Sequence, residues 1–133
     1  MNTIRVVVAD DHDAVRSALV DVLAADPRFD VVGQVSTAAQ TIDVVRGCRP
    51  DLVLMDVRMP GGGPDAVRAT VNCTAPTLPR GRAPVVVVVS ATASAHTVSG
   101  ILNAGASGYL VKGCRGYLPD LVARCLAGTD ESV

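Results

Sequence analysis

The chain has 133 residues, about one domain's worth, of which 49% are apolar, only 2% aromatic and 19% charged, with a formal net charge of −1. That length buries a core without disulfides or metals, and the scarcity of aromatics leaves Val, Leu, Ile and Ala to fill it. The balanced charge, with no basic run, excludes nucleic-acid binding driven by the electrostatics of this domain.

From the start, MNTIRVVVADD takes up charge too early for a signal peptide. Ile4–Ala9 is a first β-branched run, ended by Asp10 and Asp11. Helical spacing follows at Val15, Leu19, Val22 and Leu23. A second strand covers Asp30–Val35 and stops at Ser36. Thr37 and Gln40 then form a capping-box pattern opening a helix marked by Ile42 and Val45. Leu52–Asp56 is a third apolar strand ending abruptly in one acid, and Gly61, Gly62, Gly63 and Pro64 follow before a short helix at Val67 and Val71.

Asn72–Pro84 carries prolines at 76, 79 and 84 and reads as a loop. Pro84–Ser90 is a fourth strand, far shorter than the roughly 20 apolar residues of a bilayer span. Val98, Ile101 and Leu102 mark a fourth helix, Gly108–Lys112 a fifth strand, and Leu118, Leu121, Val122, Cys125 and Leu126 a fifth helix. The domain is expected over residues 1–127, with 128–133 a tail or the start of a linker. Cys48, Cys73, Cys114 and Cys125 form no CxxC pair and read as free thiols of a reducing cytoplasm.

The strands show little in/out alternation, as expected of a parallel sheet covered on both faces. Five β-α units with right-handed crossovers give an α/β, doubly wound, five-stranded sheet. Ligands of such sheets bind at the carboxyl ends of the strands. There stand Asp10 and Asp11, Asp56, Ser90 and Lys112. Two carboxylates ~5 Å apart at an effective dielectric near 20 repel by roughly 3 kcal/mol, so the cluster calls for a cation. Oxygen-only ligands favour Mg²⁺ or another hard ion. Taken singly, each residue is an ordinary turn, cap or solvated side chain; the signal is their joint placement. His12 reads as a cap or loop residue, and His96 faces solvent.

With "VVVADDH", "DLVLMDVRMP", "VVVVVSA" and "AGASGYLVK" in place, the chain resembles the receiver domain of two-component response regulators from about Thr3 to Leu126. "VVGQVSTAAQTIDVVRGCRP" and "AGASGYLVK" are similar to the subfamily with a C-terminal helix-turn-helix of the LuxR/NarL type. The resemblance implies the flavodoxin-like (βα)5 fold with strand order 2-1-3-4-5. It implies that Asp56 accepts a phosphoryl group from a phosphohistidine of a sensor histidine kinase. Mg²⁺ would be held by Asp11, Asp56 and the backbone carbonyl of Arg58, with Asp10 assisting through water. Lys112 and Ser90 would contact the phosphoryl oxygens. Ser90 and Tyr109 would act as the switch, unless Tyr109 is merely packed with its hydroxyl in water.

Further expectations are a homodimer on activation, control of transcription through a DNA-binding domain beyond this chain, no membrane partner and a cytoplasmic location. The glycines at 61–63 either let phosphate and metal approach the backbone or make only a flexible loop. Two rival readings remain. A phosphatase of the haloacid-dehalogenase type wants a second acid two residues after its nucleophile, where this chain has Arg58. A receiver-like module could signal by dimerising without phosphorylation. Nucleotide binding lacks a GxGxxG or P-loop.

Overall fold

The computed structural model describes residues 3–73, 84–91, 94–112 and 116–127. The elements run β1 Ile4–Ala9, α1 Asp13–Ala24, β2 Phe29–Val35, α2 Ala38–Cys48, β3 Leu52–Met55, α3 Pro64–Val71, β4 Val85–Ser90, α4 Ala95–Asn103, β5 Gly108–Val111 and α5 Leu118–Ala127. The five strands form one parallel sheet in the order β2-β1-β3-β4-β5. Asp56 and Lys112 fall one residue past their strands instead of closing them. Most of the expected loop at 72–84, and the expected tail at 128–133, lie outside the described residues.

Side-chain alternation along the strands splits the core in two. Val7, Ala9, Val53, Met55, Val86 and Val88 face one way, against Val45 of α2, Ala66 and Val67 of α3 and Ile101 of α4. Val6, Val8, Leu52, Leu54, Val87 and Val89 face the other, against Leu23 of α1 and Val122 of α5. The chain moves from β1 outward to β2, then back across the sheet to β3, β4 and β5. A fixed crossover hand therefore puts α1 on one face and α2, α3 and α4 on the other. The three central strands have both faces covered, which is why their sequences lack an alternating polar position.

The local signals resolve into specific contacts. Thr37 Oγ1 accepts the Gln40 amide at 3.1 Å, but the return bond of the capping box is displaced by one residue. Gln40 Oε1 accepts the amide of Ser36 at 2.9 Å and its hydroxyl at 3.1 Å. His12 caps α1 through Nδ1, which accepts the Val15 amide at 3.3 Å, and His96 is exposed on α4.

The glycines after β3 serve a tight turn. Gly61 and Gly63 have φ of 75° and 107°, a region that costs residues with a Cβ. A Cβ on Gly62 would strike the carbonyl oxygen of Val57. The turn is pinned by Gly62 N to Met59 O at 2.8 Å and by Ala38 N of α2 to Pro60 O at 3.0 Å. These positions answer to the backbone geometry of the turn.

A polar network joins the α1–β2 turn to the start of α5. Buried Asp26 accepts from the Arg28 amide and Nε at 2.9 and 3.0 Å, from Arg28 Nη2 at 2.8 Å and from the Tyr117 hydroxyl at 3.1 Å. Arg28 also reaches Asp120 at 2.7 Å. The bonds from Arg28 hold the Asp26 carboxyl well below the usual range. Burial and the bond to Asp26 raise the Tyr117 phenol. Among the described residues no helix is long and apolar enough to cross a membrane.

Candidate functional site

The strand order reverses at β1, whose neighbours are β2 on one side and β3 on the other. A crevice opens at the carboxyl ends of strands where connections depart in opposite directions. Asp10 and Asp11 follow β1 and Asp56 follows β3, so the acids flank this point. Each buried acid is seated by its backbone before its side chain acts. The Asp10 amide donates to Val35 O at 3.0 Å and the Asp56 amide to Ala9 O at 2.8 Å. On the far side, the Lys112 amide donates to Ser90 O at 2.8 Å.

Asp10 and Asp56 are held by the same local device. Oδ1 of Asp10 accepts the amide of His12 at 2.9 Å, and Oδ1 of Asp56 accepts the amide of Arg58 at 2.9 Å. In both cases the second oxygen is turned to the Lys112 ammonium, at 2.9 Å for Asp10 Oδ2 and 3.0 Å for Asp56 Oδ2. The signal for this in the sequence is the short acid two residues before an amide in a turn, the Asx-turn pattern. Sequence reasoning gave Arg58 a role only through its carbonyl and His12 none at the acids.

Asp10 is 1% exposed and Asp56 5%, so their charges meet little solvent. Burial pulls the Lys112 pKa down, but the adjoining carboxylates of Asp10 and Asp56 outweigh it and hold it above the ordinary 10.5. One ammonium against three acids still leaves the site net negative. Asp11 is exposed at the rim. One carboxylate oxygen from each of Asp10, Asp11 and Asp56 lies within 4.8 Å of the others.

Asp10 Oδ2 is buried and paired with the Lys112 ammonium at 2.9 Å. One ammonium does not exhaust the oxygens of three clustered acids, and this all-oxygen set fits a hard divalent cation such as Mg²⁺, which takes oxygen ligands and keeps some of its waters.

Ser90 is fully buried at the end of β4. Tyr109 pairs with Val88 across β4 and β5 and is half-buried against the α2–α4 side of the core. Strand alternation puts Ser90 on the face of Val86 and Val88, the face against which Tyr109 packs. The expected site residues at the ends of β1, β3, β4 and β5 are thus brought to one edge. Two buried carboxylates beside an ammonium and a third, exposed acid, with the buried Ser90 ending the strand next to β3, form an arrangement able to hold a cation and, beside it, an anionic group.

A family model for the response regulator receiver domain matches residues 6–122. The DNA-binding transcriptional activator DevR/DosR of Mycobacterium tuberculosis is 39% identical over 114 residues, covering 85% of this chain and 49% of that protein. A protein-glutamate methylesterase/protein-glutamine glutaminase of Anaeromyxobacter dehalogenans is 38% identical over 137 residues, covering 98% of this chain and 37% of that protein. The signal receiver domain of the response regulator NarL from Mycobacterium tuberculosis superposes with a TM-score of 0.84 at 28% identity, covering 96% of this chain and 99% of that one. The chain therefore spans half or less of the length of these two curated relatives.

Proposed function

The chain belongs to the response regulator receiver domain family of two-component systems, and from that premise we propose that Asp56 is its phosphoacceptor. The observation that carries the reading is the convergence of Asp10, Asp11 and Asp56 on one edge with Lys112 between the two buried acids. The donor is a phosphohistidine of a sensor histidine kinase. An oxygen of Asp56 attacks phosphorus, the P–N bond breaks, and the electron pair leaves with the donor imidazole, which takes a proton. Asp56 needs no general base, since a carboxylate is ionised near neutral pH.

Asp11, Asp56 and the Arg58 carbonyl are the proposed Mg²⁺ ligands, with Asp10 assisting through water. When bound, the ion supplies positive charge to the transferring phosphoryl oxygens. Lys112 exchanges its carboxylate partner on Asp56 for a phosphoryl oxygen, and Ser90 donates its hydroxyl to another. Tyr109 then moves on the face it shares with Ser90, and the α4–β5–α5 surface changes with it. Shifting a two-state balance from 1:99 to 99:1 takes about 5.5 kcal/mol of differential stabilisation, within the range of two or three charge-assisted bonds.

The output is proposed to be transcription, with homodimerisation on activation and DNA contacted only by a further domain. The likeness to DevR/DosR, a DNA-binding transcriptional activator, supports the transcriptional output. The methylesterase relative supports an alternative, a receiver governing an attached enzyme. Cys48, Cys73 and Cys125 are free thiols, which suits the cytoplasm proposed as the working compartment.

The test is incubation with a small phosphoryl donor and Mg²⁺, read by intact mass. The wild-type chain is expected to gain one phosphoryl group, and Asp56→Asn or EDTA to abolish the gain. An Asp56→Asn variant labelled as well as wild type would overturn the assignment.

A further inference from the structure

Arg16, on the first turns of α1, gathers three acceptors from three directions. Nη1 donates to the Asp10 carbonyl at 2.9 Å, Nε to Gln34 Oε1 on β2 at 3.3 Å, and Nη2 to Asp13 Oδ1 at 2.7 Å. Its side chain is 18% exposed, against 88% for Asp13. The pair with Asp13 is a surface ion pair of small worth. The bond to Asp10 is of another kind, because that carbonyl belongs to the peptide joining two of the three clustered acids.

The peptide group is planar, so the Asp10 carbonyl and the Asp11 amide turn together. Asp10 is fixed at its amide, which donates to Val35 O, and through Oδ1, which accepts the His12 amide and closes an Asx turn around the Asp10–Asp11 peptide. What that turn leaves to be held is the tilt of the peptide plane, which bears on where the exposed Asp11 carboxylate stands relative to Asp10 and Asp56. Arg16 sets it from a base anchored twice, by its own amide on His12 O at 2.8 Å and by Gln34.

We infer that Arg16 is a positioning residue for the cation site: its guanidinium fork locks the Asp10–Asp11 peptide so that both carboxylates face one divalent ion. The inference rests on the receiver reading of the acid cluster. It has a distinctive sign. By charge alone, a guanidinium beside an acid cluster repels a divalent cation, so its removal would tighten binding. By position, its removal loosens binding, and Lys cannot replace it, because an ammonium lacks the planar fork that meets three acceptors.

The experiment is Mg²⁺ titration of the 133-residue chain, followed by amide NMR shifts, for wild type, Arg16→Lys, Arg16→Met and Gln34→Leu. Each protein is also melted thermally in EDTA. Outer contacts that orient metal ligands are typically worth about 10–100-fold in affinity. Both Arg16 variants are expected to bind Mg²⁺ about tenfold more weakly, with the Asp11 amide displaced even before metal is added. Gln34→Leu is expected to lose affinity in the same direction but less.

Affinity that is unchanged while the melting temperature falls marks Arg16 as merely structural and overturns the inference. Tighter binding in Arg16→Met overturns it too. Should both Arg16 variants fail to fold, Gln34→Leu decides, and wild-type affinity there overturns the inference. Wild type that binds no Mg²⁺ overturns the proposed function as well; wild type that binds, with variants that match it, overturns only the role of Arg16.

Discussion

The Lys112 ammonium stands 3.0 Å from Oδ2 of Asp56, a bond between residues 56 apart in the chain and at the ends of two strands separated by a third. The same ammonium is the ion-pair partner of Asp10 Oδ2. One flexible cation thus neutralises part of two buried acids whose mutual repulsion would otherwise open this edge of the sheet. In the proposed phosphoryl transfer it is also the group that exchanges Asp56 for a phosphoryl oxygen. Under that proposal, stability at rest and release on activation converge on a single side chain.

Replacing Lys112 with Met leaves two buried carboxylates without their cation. Breaking a buried pair by removing one partner costs about 3–5 kcal/mol, and the partial exposure of Lys112 places this site near the low end. Urea unfolding in EDTA is expected to show that loss, and millimolar Mg²⁺ to restore part of it by binding the same oxygens. A variant as stable as wild type in EDTA would mean that the acids do not need the ammonium.

Asp26 offers a prediction in pH. Its carboxyl is held below the ordinary value of 3.8 by the Arg28 bonds. A depressed carboxylate contributes stability that is fully present above the unfolded pKa, about 3.9, and that is lost as pH falls through the folded value. Asp26→Asn should therefore lower stability at neutral pH and flatten the fall below about pH 4. Arg28, with its pKa raised further by Asp26 and Asp120, stays charged throughout this window. Urea midpoints measured from neutral to acid pH check the point; parallel curves for the two proteins would refute it.

Gly108 opens β5 directly beneath Cys125 of α5, whose Sγ and Cβ occupy the space a Cβ would need. Gly108→Ala is expected to cost about 1–3 kcal/mol by overpacking. Cys125→Ala in the same chain should recover most of it, because the obstacle is a side chain and not backbone. Additive losses in the double variant, seen by chemical denaturation, would show that the strain lies elsewhere.

Much of this site was legible because its residues end strands or follow them directly. An apolar run too short to span a membrane and ended by Asp, Ser or Lys announces a strand that presents chemistry at its carboxyl edge; Ser90 closes β4, and Asp10, Asp56 and Lys112 stand one residue past β1, β3 and β5. The capping signal at Thr37 was legible to within one residue, since which amide receives the return bond depends on how Ser36 leaves β2. Arg16 was hidden. A cation three residues after Asp13 on a helix reads as a surface pair, and nothing in the spacing says that its guanidinium also reaches back to a strand carbonyl. Asp26 was hidden for a related reason: its partner Tyr117 lies 91 residues away.

The sequence by itself determined the order of strands and helices, the all-aliphatic core and the edge at which the acids emerge. These follow from local periodicity, and each segment carries its own pattern of buried and exposed positions. Only the tertiary structure decided which oxygen of each acid meets Lys112, that glycines 61–63 serve the turn from β3 into α3 that is pinned against the start of α2, and that Arg16 grips the Asp10 carbonyl. Hydrophobic patterning tells a segment which face to bury, whereas the direction of a hydrogen bond depends on where distant segments come to rest once packed.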